Sequence, residues 1–397
     1  MIVINLNNFL KNATITLLFL AFSHNSFAMN IFATASKDKT IKIWKPNTDG
    51  NFTCIQTIDQ TSGGHTRWIA SLAFNKEGLL ASGSYDKTIK IWKPNTDGKF
   101  TCIQTIDQNS GGHTAYIASL AFSKAGLLIS GSDDNTIKIW NQNENNQFEL
   151  KQTLDCGYNG HAETVKSIVF NKAGLLVSGS WDNTIKIWKP NTDGNFTCIQ
   201  TIDQTSGGHT DYITSIACNK DGLLASGSWD RTIKIWEPNT DGNFTCIQTI
   251  DQTSRGHTHW VTSVACNKDG LLTSGSLDIT IKIWKHNPNW KQNQKKPFKC
   301  VQTIDQKSGS LRSSAKSISY NKDGLLVSGL FNGSIKIWKQ AANNQFAHIQ
   351  TIDQNSGSHT HSISSLAFIP SKKLDDFNKK LKNNTNYREL KIITHEE

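Results

Sequence analysis

The chain has 397 residues, 42 Lys and Arg against 32 Asp and Glu for a formal charge of +10, and eight cysteines. Such a length holds about two or three ordinary domains, such a charge suits a nucleic-acid partner, and such a cysteine count suits disulfides or zinc. The distribution of the residues along the chain argues against all three.

Residues 1–28 stand apart from the rest of the chain. Lys11 precedes an apolar stretch from Ala13 to Phe22, and Ser26-Phe27-Ala28 offers small residues at the −3 and −1 positions of a cleavage site. This is the pattern of a secretory signal peptide, and its apolar part is too short to span a bilayer. It predicts a periplasmic or secreted protein with no transmembrane segment. Two readings compete with it. Met29 is the true start of a cytoplasmic protein, or Leu20-Ala21-Phe22 is a decayed strand that echoes Leu72-Ala73-Phe74. Free Cys at repeated positions fits a reducing compartment better, which pulls against the leader.

From residue 29 to 370 the chain repeats. Thr-Ile-Lys-Ile-Trp ends at Trp44, Trp92, Trp140, Trp188, Trp236 and Trp284, a step of 48 residues, and Ser-Ile-Lys-Ile-Trp ends at Trp338 after a step of 54. A period of this size is one supersecondary unit in many copies. Within one copy, Gly64-His65 is followed by four predicted strands. These are Trp68 to Phe74 (a), Leu79 to Ser84 (b), Thr88 to Trp92 (c) and Phe100 to Ile106 (d), separated by turns at Asn75 to Gly78, Tyr85 to Lys87 and Pro94 to Gly98. Short β-branched runs with turn residues between them and no helical period form an antiparallel meander.

Each strand type occurs seven times. Strand b begins with Ile31 to Ser36, and strand d runs from Phe52-Thr53-Cys54-Ile55 to Phe346-Ala347-His348-Ile349. Strand a starts only at Trp68 and ends with Ser362 to Phe368. The chain therefore begins on b and finishes on a. A single four-stranded sheet cannot bury two apolar faces, but sheets stacked radially in a closed ring can. The expectation is one all-β domain, a seven-bladed ring of four-stranded antiparallel blades, in which the C-terminal strand completes the N-terminal blade. Residues 371–397 are polar and charged and are predicted to form a flexible tail.

The repeat also disposes of the charge and the cysteines. Lys42, Lys90, Lys138, Lys186, Lys234, Lys282 and Lys336 recur singly in strand c, and the only dense basic run is Lys291 to Lys299, so no nucleic-acid footprint is expected. Cys54, Cys102, Cys198, Cys246 and Cys300 share one position in strand d of different blades, too far apart to bridge. Cys218 and Cys266 replace the Phe that ends strand a, and Cys156 lies in a loop. There is no Cys-x-x-Cys pair, so zinc is not expected; no cofactor is expected either.

The Gly-His pair, the Ser-Gly-Ser-x-Asp stretch and the Ile-Lys-Ile-Trp end of strand c, in seven phased copies, resemble the WD-repeat β-propeller family of the G-protein β-subunit type. The family's Trp-Asp dipeptide is mostly Trp-Lys here, as at Trp44-Lys45. The resemblance gives meaning to a His, Ser and Asp in each repeat. The sets are His65, Ser82, Asp86 with Trp92; His113, Ser130, Asp134 with Trp140; His161, Ser178, Asp182 with Trp188; His209, Ser226, Asp230 with Trp236; and His257, Ser274, Asp278 with Trp284. Blade 1 would use His359, Thr34, Asp38 and Trp44. A catalytic triad is needed once, not six times. The resemblance implies a structural chain from Asp through His and the hydroxyl to the Trp N–H. Blade 7 lacks it, with Leu311 for His and Asn332 for Asp, and should be the loosest.

Strands alternate in direction, so the a–b and c–d loops share one face and the b–c and d–a loops the other. The first face is nearly copied between repeats: the 22 residues from Lys45 to Thr66 return unchanged as Lys189 to Thr210. The differences collect on the second. There the positions before the turn Asp and three beyond His supply Trp68, Tyr85, Tyr116, Trp181, Tyr212, Trp229, Trp260 and Phe331, with the charges Arg67, Asp133, Glu163, Lys166 and Asp211 among them. The resemblance places these positions around the central channel, where relatives contact partners, and exposed aromatics are typical interface anchors. The reading is a non-catalytic scaffold that binds a protein or peptide on this face, a monomeric ring within a larger complex. The alternative is a lectin-like or small-ligand propeller, since aromatics also stack on sugars and cage quaternary ammonium groups.

Overall fold

The computed structural model describes residues 31–95, 98–287, 297–306, 313–341 and 343–370. The leader, the C-terminal tail, most of the Lys291–Lys299 run and Leu311 lie outside the described residues.

Among the described residues, twenty-eight strands form seven antiparallel four-stranded sheets, each in the order a-b-c-d from one edge to the other. Blade 2 is Ile69–Phe74, Leu80–Ser84, Ile89–Pro94 and Phe100–Ile106. Blade 1 is assembled from both ends of the described chain: Ile363–Phe368 pairs with Phe32–Ser36, which pairs with Ile41–Pro46 and then Phe52–Ile58. The expected closure is present, with Phe32 opposite Phe368 and Thr34 opposite Leu366.

Strand a starts one residue later than the sequence pattern suggests, at Ile69 rather than Trp68 and at Ile363 rather than Ser362. The reason is that the carbonyl of Trp68 turns to accept the Tyr85 amide, and that of Ser362 accepts the Lys37 amide, so each residue belongs to a loop junction. Strand c runs two residues beyond Trp92, to Pro94, because the ladder with strand d continues to the pair Pro94–Phe100.

Packing is between neighbouring blades. Trp92 and Leu80 of blade 2 join Ile41, Ile43 and Ile58 of blade 1 in one buried cluster. The same kind of cluster fills every junction, including that of blade 7 with blade 1, where Val327 and Ile337 meet Trp44, Phe52 and Ile363. Fully burying such side chains contributes about 1.5–3 kcal/mol each. The Gly of Ser-Gly-Ser is there for this contact: a Cβ on Gly83 would lie 2.4 Å from Ile117 Cγ2 of the next blade.

Two polar ladders run across the same junctions. On the outer side, Gln56 mimics a strand: its Oε1 accepts the Phe100 amide at 2.7 Å and its Nε2 donates to the Phe100 carbonyl at 2.9 Å. Gln104, Gln152, Gln200, Gln248, Gln302 and Gln350 do the same, the last across the closing junction to Phe52. On the inner side, Ser71 Oγ accepts from Leu120 N, and Ser365 Oγ accepts from Leu72 N, both at 3.0 Å. All eight cysteines are free. Cys218 and Cys266 pack against core clusters, and burial pushes the Cys218 thiol up to about 12. The strand-c lysines are half-buried or, at Lys186, buried, and the ammonium ends of Lys42, Lys90, Lys138, Lys186 and Lys234 rest on strand-d hydroxyls, as in Lys90 to Thr105 at 3.1 Å.

Candidate functional site

The His, Ser and Asp of each repeat do meet. In six blades His Nδ1 lies 2.7–2.9 Å from the Asp carboxylate, and His Nε2 lies 2.7 Å from the strand-b hydroxyl. The Trp Nε1 donates to that hydroxyl at 2.8–2.9 Å. The end groups fix the direction of every proton. Indole only donates and an ionised carboxylate only accepts, so the hydroxyl passes its hydrogen to Nε2 and Nδ1–H points at the carboxylate. In blade 2 the other partners of Asp86 are the Thr88 hydroxyl at 2.6 Å and the amides of Thr66 and Thr88 at 3.0 Å.

Burial raises each Asp but is outweighed by the hydrogen bond and charge of His and by the Thr hydroxyl, which hold Asp38, Asp86, Asp134, Asp182 and Asp278 well below the usual carboxylate range and Asp230 at about 2. Burial pushes His113, His161, His257 and His359 down, against the pull of their carboxylates. The arrangement that satisfies both partners is a neutral imidazole donating to an ionised carboxylate. The hydroxyls of Ser82, Ser130, Ser178, Ser226 and Ser274 belong to residues with 0% exposure. Solvent has no access to them, and the bonds they make tie strand b to the loop before strand a and to the Trp of strand c.

Blade 7 departs as its sequence implies. Trp338 Nε1 reaches Ser328 Oγ only at 3.3 Å, and Trp338 is 6% exposed while its counterparts are at 0–1%. Asn332 accepts from the Ser334 amide, and Gly333 takes a φ of 86° to close the turn. Ser358, ahead of the closing strand, donates to the Gly333 carbonyl at 2.6 Å and ties this turn to blade 1.

The same construction orders the rim. In every blade the amide before the turn Asp, or before Asn332 in blade 7, donates to the carbonyl three residues beyond the His position: Tyr85 to Trp68, Trp181 to Thr164, Trp229 to Tyr212, Phe331 to Ser314. This fixes b–c and d–a loops side by side on one face, as the alternation of strands requires. Side chains then pair between blades. Tyr85 stacks on Tyr116 at 4.5 Å, Trp181 on Tyr212 at 5.3 Å, and Trp229 on Trp260 at 4.0 Å with planes 5° apart. Where the ring lacks two aromatics, Lys37 Nζ sits 4.4 Å over the Trp68 ring and the Thr164 hydroxyl donates to Asp133.

Seven of the eight predicted aromatics therefore form two sectors. One is Trp68, Tyr85 and Tyr116; the other is Trp181, Tyr212, Trp229 and Trp260. Phe331 joins neither and lies 5.2 Å from Lys316 Nζ. Only Trp68 is exposed, at 43%; the other seven are half-buried. Burial and the charge of Asp133 raise the Tyr85 phenol. Of the predicted charges, Arg67 lies with Lys39 in a groove beside Trp68 and Tyr116, and Asp211 accepts from its neighbour Tyr212.

Between the sectors a cavity of about 470 Å³ runs into the axis of the ring, walled by strand a of all seven blades. Lys37, Trp68, Tyr85 and Trp181 stand among its lining residues. Lys166 and Lys316 enter it from opposite parts of the repeat order, and their convergence with Lys37 is not legible from spacing alone. Among the described residues no group of His, Cys, Asp and Glu is arranged to hold a metal ion, and no helix is long and apolar enough to cross a membrane.

A family model described as WD domain, G-beta repeat, matches residues 17–45, 52–93, 100–141, 149–189, 196–237 and 244–285. The matches omit blade 7, which lacks the His and Asp, and the first begins inside the segment read as a leader. Among 1298 matching chains of solved structure is the crystal structure of the WD40 beta propeller domain of Doa1, 24% identical, with a TM-score of 0.59 over 79% of this chain and 91% of that one. Comparison with curated proteins gives no match.

Proposed function

The chain belongs to the WD40 repeat family, and from that premise we propose that it is a non-catalytic scaffold whose b–c and d–a face binds a protein or peptide partner. The observation that carries this is the contiguous array Trp181, Tyr212, Trp229 and Trp260, centroid to centroid 4.0–6.3 Å, beside the mouth of the axial cavity. The repeats are near copies elsewhere and diverge here towards large rings. Mutual stacking holds the rings in place before any partner arrives, which lowers the ordering cost of binding. A monomeric ring with one such face suits membership of a larger complex.

Affinity capture with the full chain tests the proposal. A Trp181→Ala, Trp229→Ala, Trp260→Ala variant is expected to keep its fold and to lose its partner, since truncating an interface hot spot costs about 2 kcal/mol or more, roughly 30-fold in affinity. Changing Asp193 and Gly194 in the copied turn on the opposite face is expected to leave capture intact. Loss of the partner only in the turn variant would reverse the assignment. Saturable quenching of tryptophan fluorescence by sugars, without protein capture, would favour a small-ligand site.

A further inference from the structure

Strand a carries a bulge at the same place in every blade. In blade 2 Ile69 pairs with Ser84 and Ser71 with Gly83, which leaves Ala70 without a partner in the ladder. Bulges re-aim side chains, and here Ala70 and its six counterparts all line the axial cavity. Five of these bulge residues are small. The other two are Lys166 in blade 4 and Lys316 in blade 7. The fold does not require lysine at this place, because five blades are built without it.

Two of the small residues, Thr214 and Thr262, donate their hydroxyls to the carbonyls of Val261 and Ala315 in the next blade. The lysines have no such outlet: among the described residues neither ammonium has a hydrogen-bond partner, and Lys316 Nζ lies 5.2 Å from the Phe331 ring. Lys37 brings a third ammonium to the same cavity from the b–c turn of blade 1. The charges facing them are few. Asp133 acts on Lys166, but it is engaged by Thr164, and Tyr85 adds a neutral phenol. Burial first, then the charges of Lys166 and Lys37, push Lys316 down to about 7, and burial and Lys37 also lower Lys166. Cations gathered in a confined space with little counter-charge are unfavourable. A bound anion removes the conflict through charge-assisted hydrogen bonds.

We propose that the axial cavity takes an anionic side chain of the docked peptide, a carboxylate or a phosphoryl group, with Lys37, Lys166 and Lys316 as its ligands. This rests on the reading that the partner docks on the aromatic face. The two aromatic sectors then grip the peptide on either side of the residue that enters the cavity.

The test uses the full chain with its lysines dimethylated with carbon-13, a change that keeps their charge, and assigned by single Lys→Met substitutions. Inorganic phosphate and acetate are added separately at pH 7 and followed by NMR. The expected result is a saturable shift at Lys166 and Lys316, none at Lys42 or Lys90 of strand c, and a titration midpoint for Lys316 that rises when the anion is bound. In a Lys166→Met, Lys316→Met variant the remaining response of Lys37 should need at least about tenfold more anion. Saturation by phosphate alone assigns a phosphoryl group, and saturation by acetate, with or without phosphate, assigns a carboxylate. No saturable shift in the unsubstituted chain, or an equal shift at the strand-c lysines, overturns the proposal. Capture separates the two claims. A partner retained by the double lysine variant and lost by the triple tryptophan variant leaves the docking face standing and removes the anion site. A partner retained by the tryptophan variant, with phosphate still saturating the lysines, does the opposite.

Discussion

At the scale of single residues, the His–Asp pairs make this fold sensitive to acid in two stages. The folded values of His113, His161, His257 and His359 lie below the ordinary 6.5, so the unfolded chain binds more protons as pH drops through that value. Their contribution is present above pH 6.5 and erodes below it. The six carboxylates are depressed from 3.8, so theirs is present above about pH 4 and lost as pH falls further. Chemical denaturation as a function of pH should therefore show stability declining from about pH 6.5 and more steeply below about pH 4; a flat profile between 7 and 5 would contradict the buried neutral imidazoles. His209→Ala should cost on the order of 1–3 kcal/mol by stranding Asp230 and Ser226. Melting of that variant at the unsubstituted temperature would show that the chain of bonds contributes nothing net.

At the scale of strands, the junction of Ile363–Phe368 with Phe32–Ser36 decides whether the ring is closed. Removing residues 362–397 takes away Ile363 and Phe368 and uncovers Phe32, apolar groups worth about 1.5–3 kcal/mol each when buried. Removing only residues 371–397 leaves every described strand in place. Thermal unfolding should separate the two truncations by many degrees, and equal melting temperatures would refute closure by this strand. Strand d was legible to the residue in blade 2, because Phe100 and Ile106 mark both ends of a buried face. Strand a was legible less well, because its first position is decided by a backbone bond to another loop, which alternation does not encode. The glutamine ladder went unread although every copy of strand d contains the Gln. A polar residue in a half-exposed strand looks like solvent-facing filler until the neighbouring blade is in place.

At the scale of the whole molecule, the count of seven strands of each type carried the architecture, and the positions of Lys45 to Thr66 and their copy carried the contrast between a constant face and a variable one. The same contrast pointed to the seven aromatics that touch one another on the variable face, though not to the isolation of Phe331. The division of the rim into two sectors was not legible, since which rings touch depends on how one blade's turn meets the next blade's loop. Nor was the meeting of Lys37, Lys166 and Lys316, which come from blades 1, 4 and 7: the last two converge because each strand a leads to one axis, and Lys37 joins them from the b–c turn at its mouth.

The closing junction also governs how the ring is made. Thr34 and His359 are hydrogen-bonded across 325 residues of sequence, so blade 1 has the longest loop to close and the largest closure entropy to overcome. During synthesis Phe32–Ser36 emerges well before its partner Ile363–Phe368, and one of its edges stays open until then. Meanwhile Ile69–Phe74 and Ile117–Phe122 both read Ile-Ala-Ser-Leu-Ala-Phe, close to the Ile-Ser-Ser-Leu-Ala-Phe of the true partner. Each is a nearby competitor for the open edge, and its capture there gives a ring with the wrong number of blades. The likeness between repeats that lets the blades stack is thus also the source of kinetic traps, and the search of Ile363–Phe368 for its place is the step most exposed to misassembly.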